Sequence, residues 1–233
     1  IKIGSSTLVN EQGKLDRAYF DGLAAQVHAL RQMGWSPLIV SSAAIACGLE
    51  ALGIEERPTD MPSLQAAASV GQNALMATYA EAFSRYDVLT SCVLITRHST
   101  AQRNAYLHAR DTLERLIDFD VVPIINENDT VSTAEIAEVS TLGDNDTLAS
   151  IVAVSVEADL LVLDEAGSAW ELDMVDKDLL RRAVLQRPAG QECVLTAHAA
   201  PQWMLDAADY VTEMKCIRHP YQKGIAARKG VEY

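Results

Sequence analysis

Hydrophobic and polar positions follow two patterns along the chain. Short apolar runs rich in β-branched residues, at 36–40, 121–123 and 159–163, are typical of strands buried on both faces of a parallel sheet. Longer amphipathic stretches lie between them. They predict helices over residues 15–33, 63–85, 101–116, 144–156 and 175–186. This alternation predicts an α/β fold, a three-layer sandwich in which helices cover both faces of a parallel sheet joined by right-handed crossovers.

Bulk composition narrows the class of protein. The chain has 233 residues, of which 49% are hydrophobic, enough for a substantial core. Its net charge of −13 argues against nucleic acid or an acidic membrane as partner, because both require basic patches. We find no signal peptide or membrane span, and the cysteines lack a Cys-x-x-Cys spacing, so we expect a cytoplasmic protein with reduced core cysteines. These cysteines are Cys47, Cys92, Cys193 and Cys216.

Two acidic, amide-rich segments stand out, at residues 124–131 and 143–146. The first directly follows the apolar run at 121–123, so we expect it to form a loop at the end of a buried strand. In open α/β sheets, ligands bind in the crevice beyond the carboxyl ends of such strands. Taken singly, Asn and Asp clusters more often cap helices or form turns. Their grouping predicts a site for a polar ligand.

Two further strand ends break into small residues. The predicted strand at 36–40 leads into residues 41–48, a small-residue turn that enters a helix, and the chain opens as a strand that ends at Gly4 and Ser5. Small residues leave backbone N–H groups open to an anion, and a helix start adds a favourable dipole. Lys2 supplies a matching positive charge.

The order of these motifs along residues 1–157 is specific. The stretches concerned are Lys2-Ile3-Gly4-Ser5-Ser6, Val40-Ser41-Ser42-Ala43-Ala44-Ile45-Ala46, Ser69-Val70-Gly71-Gln72, Ala109-Arg110-Asp111-Thr112-Leu113, Ile125-Asn126-Glu127-Asn128-Asp129 and Gly143-Asp144-Asn145-Asp146. Together they resemble the glutamate 5-kinase family of the amino acid kinase superfamily. The resemblance implies ATP-dependent phosphorylation of the side-chain carboxylate of L-glutamate, the first step of proline biosynthesis. It also implies Mg²⁺ and a homo-oligomer.

The resemblance assigns roles residue by residue. It places Lys2 along the phosphates of ATP as a catalytic cation, with backbone N–H groups of Gly4 and Ser5 on the same oxygens. Asp144, also catalytic, would orient the lysine or help place Mg²⁺ through water, so no direct metal ligand is expected. The expected glutamate-binding residues are Ser42, Asp129 and Asn145. Asp129 suits the substrate ammonium, because a carboxylate accepts strongly from a cation.

Two positions depart from the family pattern. The family usually has Gly where this chain has Ala43, and a β-carbon there would crowd a phosphate approached closely by the backbone. It usually has Asn where this chain has His108. We expect His108 to lie on a helix surface, because a lone histidine needs an oriented partner to do chemistry.

Residues 158–233 lack the Ser-Asp turn and the glycine-rich nucleotide loop of that kinase family. Their motifs are Leu161-Val162-Leu163-Asp164-Glu165, Val194-Leu195-Thr196, Ala199-Ala200-Pro201, residues 207–214, His219-Pro220-Tyr221 and residues 224–233. These resemble the C-terminal part of the ATP:corrinoid adenosyltransferase family. The resemblance implies a Walker-B-like strand end, where Asp164 would hold Mg²⁺ through water and Glu165 would poise a neighbouring group. The P-loop of that family is not in this sequence.

We therefore predict two parts, an amino acid kinase-like domain at 1–157 and an α/β segment at 158–233. Glutamate phosphorylation is the function that the first part implies. Corrinoid adenosyl transfer is the alternative that the second part implies. A third hypothesis is a non-catalytic module that binds glutamate but does not hold ATP. For residues 159–233, elements that merely complete a core are an equally good interpretation.

Overall fold

The computed structural model describes residues 1–10, 14–96, 100–131 and 145–214. Helices span Ser5–Leu8 (α1), Arg17–Gln32 (α2), Ala44–Leu52 (α3), Met61–Ser84 (α4), Arg103–Asp118 (α5), Asn145–Ser155 (α6), Ala166–Glu171 (α7), Lys177–Leu185 (α8) and Gln202–Ala207 (α9). Strands span Ile39–Val40 (β1), Thr90–Ile95 (β2), Val122–Glu127 (β3), Leu160–Leu163 (β4) and Glu192–Leu195 (β5).

The strands form parallel pairs, joined through the first residues of the chain. β3 lies between β1 and β2, and β5 lies beside β4. The N–H of Lys2 donates to the carbonyl of Val162 and that of Ile3 donates to the carbonyl of Val40, both at 2.9 Å. Residues 1–3 thus lie between β1 and β4, and the order across the described sheet is β2, β3, β1, residues 1–3, β4, β5. All carboxyl ends therefore point to one edge.

Helices cover both faces of this sheet. Ile39 and Ile124 belong to a core cluster that includes side chains of α2 and α4. Their neighbours Val40 and Ile125 belong to a second cluster with side chains of α5, α6 and α8. Successive strand residues point to opposite faces, and both faces are buried. The predicted three-layer α/β sandwich is confirmed.

The helix predictions agree with the structure to within two residues at each end. The prediction that residues 124–131 form a loop is wrong for its first half, because Ile124 to Glu127 continue β3 in parallel with β2. The apolar run predicted the strand. Asn126 and Glu127 also pair with β2, but polar residues are not a signal for a buried strand. β1 is also shorter than expected, since only Ile39 and Val40 pair with β3.

The cysteine expectation holds only in part. Cys47 is buried and Cys193 partly buried, whereas Cys216 lies outside the described residues. Cys92 is exposed, so its prediction as a core residue is wrong. It lies in β2, at the edge of the described sheet, and an apolar sequence does not distinguish an edge strand from a central one. His108 is exposed on α5, which confirms its expected helix-surface position.

Helices α3 and α4 touch backbone to backbone through two glycines. A β-carbon built at Gly71 would lie 1.8 Å from the carbonyl oxygen of Ala44, and one at Gly48 would lie 1.7 Å from that of Ala67. These distances are well inside van der Waals contact. Because α3 begins directly after Ser42 and Ala43, this close packing fixes the loop at the carboxyl end of β1.

Ala43 adopts a left-handed backbone conformation, with φ 75° and ψ 7°, immediately before α3. This conformation costs a residue with a β-carbon about 1 kcal/mol and costs glycine little. It supplies a physical reason for the glycine that the resembled family usually has there.

Ala43→Gly is therefore expected to raise the free energy of unfolding by about 1 kcal/mol, because it removes this backbone strain. Urea denaturation checks the change. Ala46→Gly, in the interior of α3, is the matched control and should lower the stability by about 1 kcal/mol. Loss of stability in both variants would contradict the conformation assigned to Ala43.

Candidate active site

The candidate site lies at the edge of the sheet where the strands end. Residues 1–3 lead into Gly4, β1 leads into Ser41, β3 ends at Glu127, and β4 leads into Asp164. Parallel pairing brings these ends together. The start of α6 joins them from the second face of the sheet, because the first residues of this helix contact Lys2 and Ser42. Segments far apart in sequence therefore share one polar edge.

Lys2 and Asp146 form a buried ion pair at the centre of this edge. Ile1 and Ile3 pack into the cluster of α2 and α4, so Lys2, between them, faces the side covered by α6. Its Nζ lies 3.1 Å from both carboxylate oxygens of Asp146. Their side chains are 9% and 4% exposed, so water solvates both charges poorly. Each charge compensates the other at short distance. Asp146 lies in the first turn of α6, where the helix dipole favours an anion.

The side chain of Asn145 connects α6 to the loop after β1. Its Nδ2 donates to the hydroxyl of Ser42 at 2.7 Å and to the carbonyl of Ser41 at 2.8 Å. Ser41 is fixed in turn, because its N–H donates to the carbonyl of Ile125 and its hydroxyl lies 2.9 Å from that of Tyr79 on α4. The structure thus brings Ser42 and Asn145 into direct contact.

Asp129 lies two residues beyond β3 and is partly buried. Burial raises the pKa of its carboxyl from 3.8 to about 6, because desolvation disfavours the charged form. A nearby cation would lower that pKa again. The carboxylate is therefore suited to binding a cationic group that arrives from solution.

Asp164 belongs to the same edge of the sheet. Its Oδ1 accepts from the hydroxyl of Thr196 at 2.7 Å, and its Oδ2 lies 3.5 Å from the hydroxyl of Thr7 on α1. The N–H of Glu165 also donates to the Thr196 hydroxyl, at 2.8 Å, and the Glu165 carboxylate lies 3.4 Å from Nε2 of His198. Since Gly4 precedes α1 and Ser5 begins it, the end of β4 adjoins the segment after residues 1–3.

The predicted site residues have different outcomes. Ser42 and Asn145 contact each other, and Lys2 lies beneath the same helix as Asn145. Asp144 lies outside the described residues, so its expected role is untested. The sequence analysis did not assign a role to Asp146, the residue that contacts Lys2. Its presence in the same Gly-Asp-Asn-Asp motif was a signal, but its contact with Lys2 depends on how the start of α6 packs over the sheet.

Neither a cluster of metal ligands nor a membrane-spanning helix is found among the described residues. Among them, no group of three or more His, Cys, Asp or Glu side chains is placed to hold a metal ion. None of the helices in the described ranges is both long and apolar enough to cross a membrane.

Residues 1–165 match the sequence profile of the amino acid kinase family, which is most of the chain. The chain belongs to this family. The match covers the residues that form the polar edge from Lys2 to Asp164. It agrees with the fold, a parallel sheet with helices on both faces, which the alternation of apolar runs and amphipathic stretches predicted.

A second profile, that of the ATP:corrinoid adenosyltransferases BtuR/CobO/CobP, matches residues 100–233. This match also covers more than half of the chain, so the C-terminal part belongs to that family as well. The two matches overlap between residues 100 and 165. The overlap includes α5, β3, α6 and β4.

Curated relatives match about seven tenths of the chain. It is 47% identical over 163 residues to a glutamate 5-kinase of Geobacter sp. (strain M21), a match covering 70% of this chain and 43% of the relative. It is 48% identical over 169 residues to that of Azoarcus sp. (strain BH72), covering 72% and 44%. For Bordetella petrii the identity is 49% over 168 residues, covering 71% and 43%. The chain thus spans less than half the length of these relatives.

Proposed function

We propose that this chain phosphorylates the side-chain carboxylate of L-glutamate with ATP and forms glutamyl 5-phosphate, the reaction that opens proline biosynthesis. The observation that supports this proposal best is the contact of Asn145 with Ser42, next to the buried pair of Lys2 and Asp146. Relatives named glutamate 5-kinase match 70% and 72% of this chain. We further propose a cytoplasmic homo-oligomer.

The chemistry requires positioning and charge compensation more than covalent help. An oxygen of the substrate carboxylate attacks the γ-phosphorus of ATP, the bond from that phosphorus to the bridging oxygen breaks, and ADP leaves with the electron pair. Lys2 is the cation beside this path and offsets charge on the moving phosphoryl group. Gly4 and Ser5 contribute backbone N–H groups at the same edge.

The amino acid would be held on the other side of Lys2. Asp129 accepts from the substrate ammonium, and Asn145 contributes its Oδ1, which is buried and has no hydrogen-bond partner among the described residues. A buried acceptor without a partner is costly, so a ligand that donates to it is favoured. Ser42 contributes its hydroxyl beside Asn145.

Mg²⁺ neutralises phosphate charge in such transfers. Asp164 fits an indirect role, because its oxygens already accept from or lie near the hydroxyls of Thr196 and Thr7. Glu165 follows it at the same strand end. We propose contact with the ion through water at Asp164, with Asp144 as a further candidate.

Glutamate affinity is expected to rise between pH 5 and pH 7 and then to stay level. Asp129 has a pKa raised to about 6 by burial, so below this pH it is protonated and attracts the substrate ammonium weakly. Calorimetric titration over this range measures the effect. Asp129→Asn should remove most of the pH dependence. If the pH dependence of glutamate affinity is unchanged in that variant, another group causes it.

The proposed activity is tested by trapping acyl phosphate with hydroxylamine, using L-glutamate, ATP and Mg²⁺ and omitting glutamate in the control. Hydroxamate that depends on both substrates is the expected result. Absence of product from folded protein would overturn the kinase proposal. It would favour the non-catalytic glutamate-binding module, if calorimetry still shows glutamate binding.

A second candidate function is corrinoid adenosyl transfer. The observation in its favour is the profile match over residues 100–233, together with the Asp164 carboxylate at a strand end. Mixing the protein with ATP and a reduced corrinoid, and recording the corrinoid absorption spectrum, tests this candidate. A spectral change that requires ATP would support it. An unchanged spectrum would overturn this second candidate.

The domain division at residue 157 is also a proposal. β4 and β5 belong to the proposed second part, yet the Lys2 N–H donates to the Val162 carbonyl and attaches them to the first part. We propose that the described residues of the second part, 158–214, pack onto the kinase-like part, with β4 and β5 as an extension of one sheet.

A further inference from the structure

A chain of side-chain amides runs from α4 to the proposed glutamate site. Nε2 of Gln72 lies 3.4 Å from the sulfur of Cys92, and Oε1 of Gln72 accepts from Nδ2 of Asn126 at 3.0 Å. Oδ1 of Asn126 lies 3.4 Å from Nδ2 of Asn145. Gln72 is thus connected to Asn145 through one intervening side chain, that of Asn126. It lies on a helix outside the strand ends that form the site.

Backbone groups determine which way each amide faces. Nδ2 of Asn145 faces the carbonyl of Ser41, which can only accept, so its nitrogen must be on that side. Oδ1 of Asn126 faces the N–H of Glu127 at 3.0 Å, which can only donate. Nδ2 of Asn126 therefore points to Gln72, and Gln72 must present an acceptor there.

In this arrangement the Asn145 side chain offers a ligand only a hydrogen-bond acceptor. The nitrogen of Asn145 is used by Ser41, Ser42 and Asn126, whereas its Oδ1 is buried without a partner among the described residues. The residue is 4% exposed. A free acceptor at this position selects a ligand that donates, such as an ammonium, and disfavours the same ligand without its amine.

We propose that Gln72 is a positioning residue that sets selectivity for the amino group of the substrate. Through its acceptor on Asn126, it keeps Oδ1 of Asn126 beside Nδ2 of Asn145 and so fixes the position of the Asn145 side chain, whose orientation the Ser41 carbonyl sets. This inference rests on the proposed binding of glutamate. It extends that proposal to a residue on α4 and to the chemical class of ligand, an α-amino acid in preference to the corresponding diacid without the amine.

Calorimetric titration with L-glutamate and with glutarate, its analogue without the amino group, tests the proposal. The wild-type protein should prefer L-glutamate. Gln72→Leu should weaken L-glutamate binding about tenfold, the effect of one charge-assisted hydrogen bond, and leave glutarate binding unchanged. Gln72→Glu keeps an acceptor for Asn126 and should restore the preference. Asn73→Leu, which removes an exposed side-chain amide from the same helix, is the control and should behave as wild type.

The outcomes separate this inference from the proposed function. An equal loss for both ligands in Gln72→Leu, or an undiminished preference for L-glutamate in that variant, would overturn the positioning role while glutamate binding by the wild type stands. A folded wild-type protein that does not bind L-glutamate would overturn the proposed function and this inference together. Thermal melting followed by circular dichroism verifies that each variant is folded.

Discussion

Lys2→Met is expected to lower the rate of glutamyl phosphate formation about 100-fold to 1000-fold. The substitution removes the cation beside the proposed phosphoryl path while keeping an unbranched side chain of similar length. It also leaves the Asp146 carboxylate, 4% exposed, without its 3.1 Å partner. Loss of one member of a buried pair costs about 3–5 kcal/mol, so the variant should also unfold at a lower urea concentration. The hydroxylamine assay and urea denaturation measure the two effects.

A second variant separates these two effects. Combining Lys2→Met with Asp146→Asn removes both charges, so the stability should return to within about 1 kcal/mol of wild type. The activity should remain low, because the cation is still missing. Recovery of activity in the double variant would contradict a catalytic role for Lys2. Stability that stays low would contradict the view that the pair is balanced mainly by its own two charges.

Gly71→Ala is expected to lower the free energy of unfolding by about 3 kcal/mol or more. The added methyl group would lie 1.8 Å from the carbonyl oxygen of Ala44 and 2.3 Å from the backbone nitrogen of Gly48. Backbone atoms cannot rotate away as a side chain does, so α3 and α4 must separate. Urea denaturation measures the loss. Because α3 holds the loop that contains Ser42, glutamate binding should weaken as well.

The matched control for this variant is Gly22→Ala. Gly22 lies in α2, and a β-carbon built there meets nothing within 4 Å. The same substitution should therefore stabilise the protein by up to about 1 kcal/mol through helix propensity. A Gly71→Ala protein as stable as wild type would contradict the close approach of the two helices.

Periodicity along the chain predicted most of the fold, because the segments involved are long and regular. The amphipathic stretch at 63–85 corresponds to α4, and the run at 121–123 to the start of β3. It did not predict where β3 ends, since Asn126 and Glu127 are polar yet occupy ladder positions opposite β2. These two polar residues lie at the strand end that forms the site, whereas a buried strand is usually apolar along its length.

The site could be predicted as residue types but not as contacts. The motifs contain Lys2, Ser42 and Asn145, yet the hydrogen bond between the last two spans 103 residues of sequence. Such a contact depends on how α6 packs over the sheet. The same holds for the pairing of Lys2 with Asp146, which spans 144 residues. No local rule distinguishes Asp144 from Asp146.

Ala43 shows the complementary case. The sequence identified it as an unusual residue at the start of α3, and the expected consequence concerned phosphate binding. The backbone conformation of Ala43, with φ 75°, adds a second reason for glycine at this position, one that does not depend on a ligand. That reason could not be derived from the residue type, because alanine adopts left-handed conformations rarely.

The most direct test of the central claim is calorimetric titration of L-glutamate into the wild-type protein and into Asp129→Asn at pH 7.5. The exposed His108→Ala serves as a surface control. Saturable binding to the wild type and the control, weakened at least about tenfold in Asp129→Asn, is the result that this account predicts. Equal affinity in all three proteins, or no binding to folded wild-type protein, would contradict it.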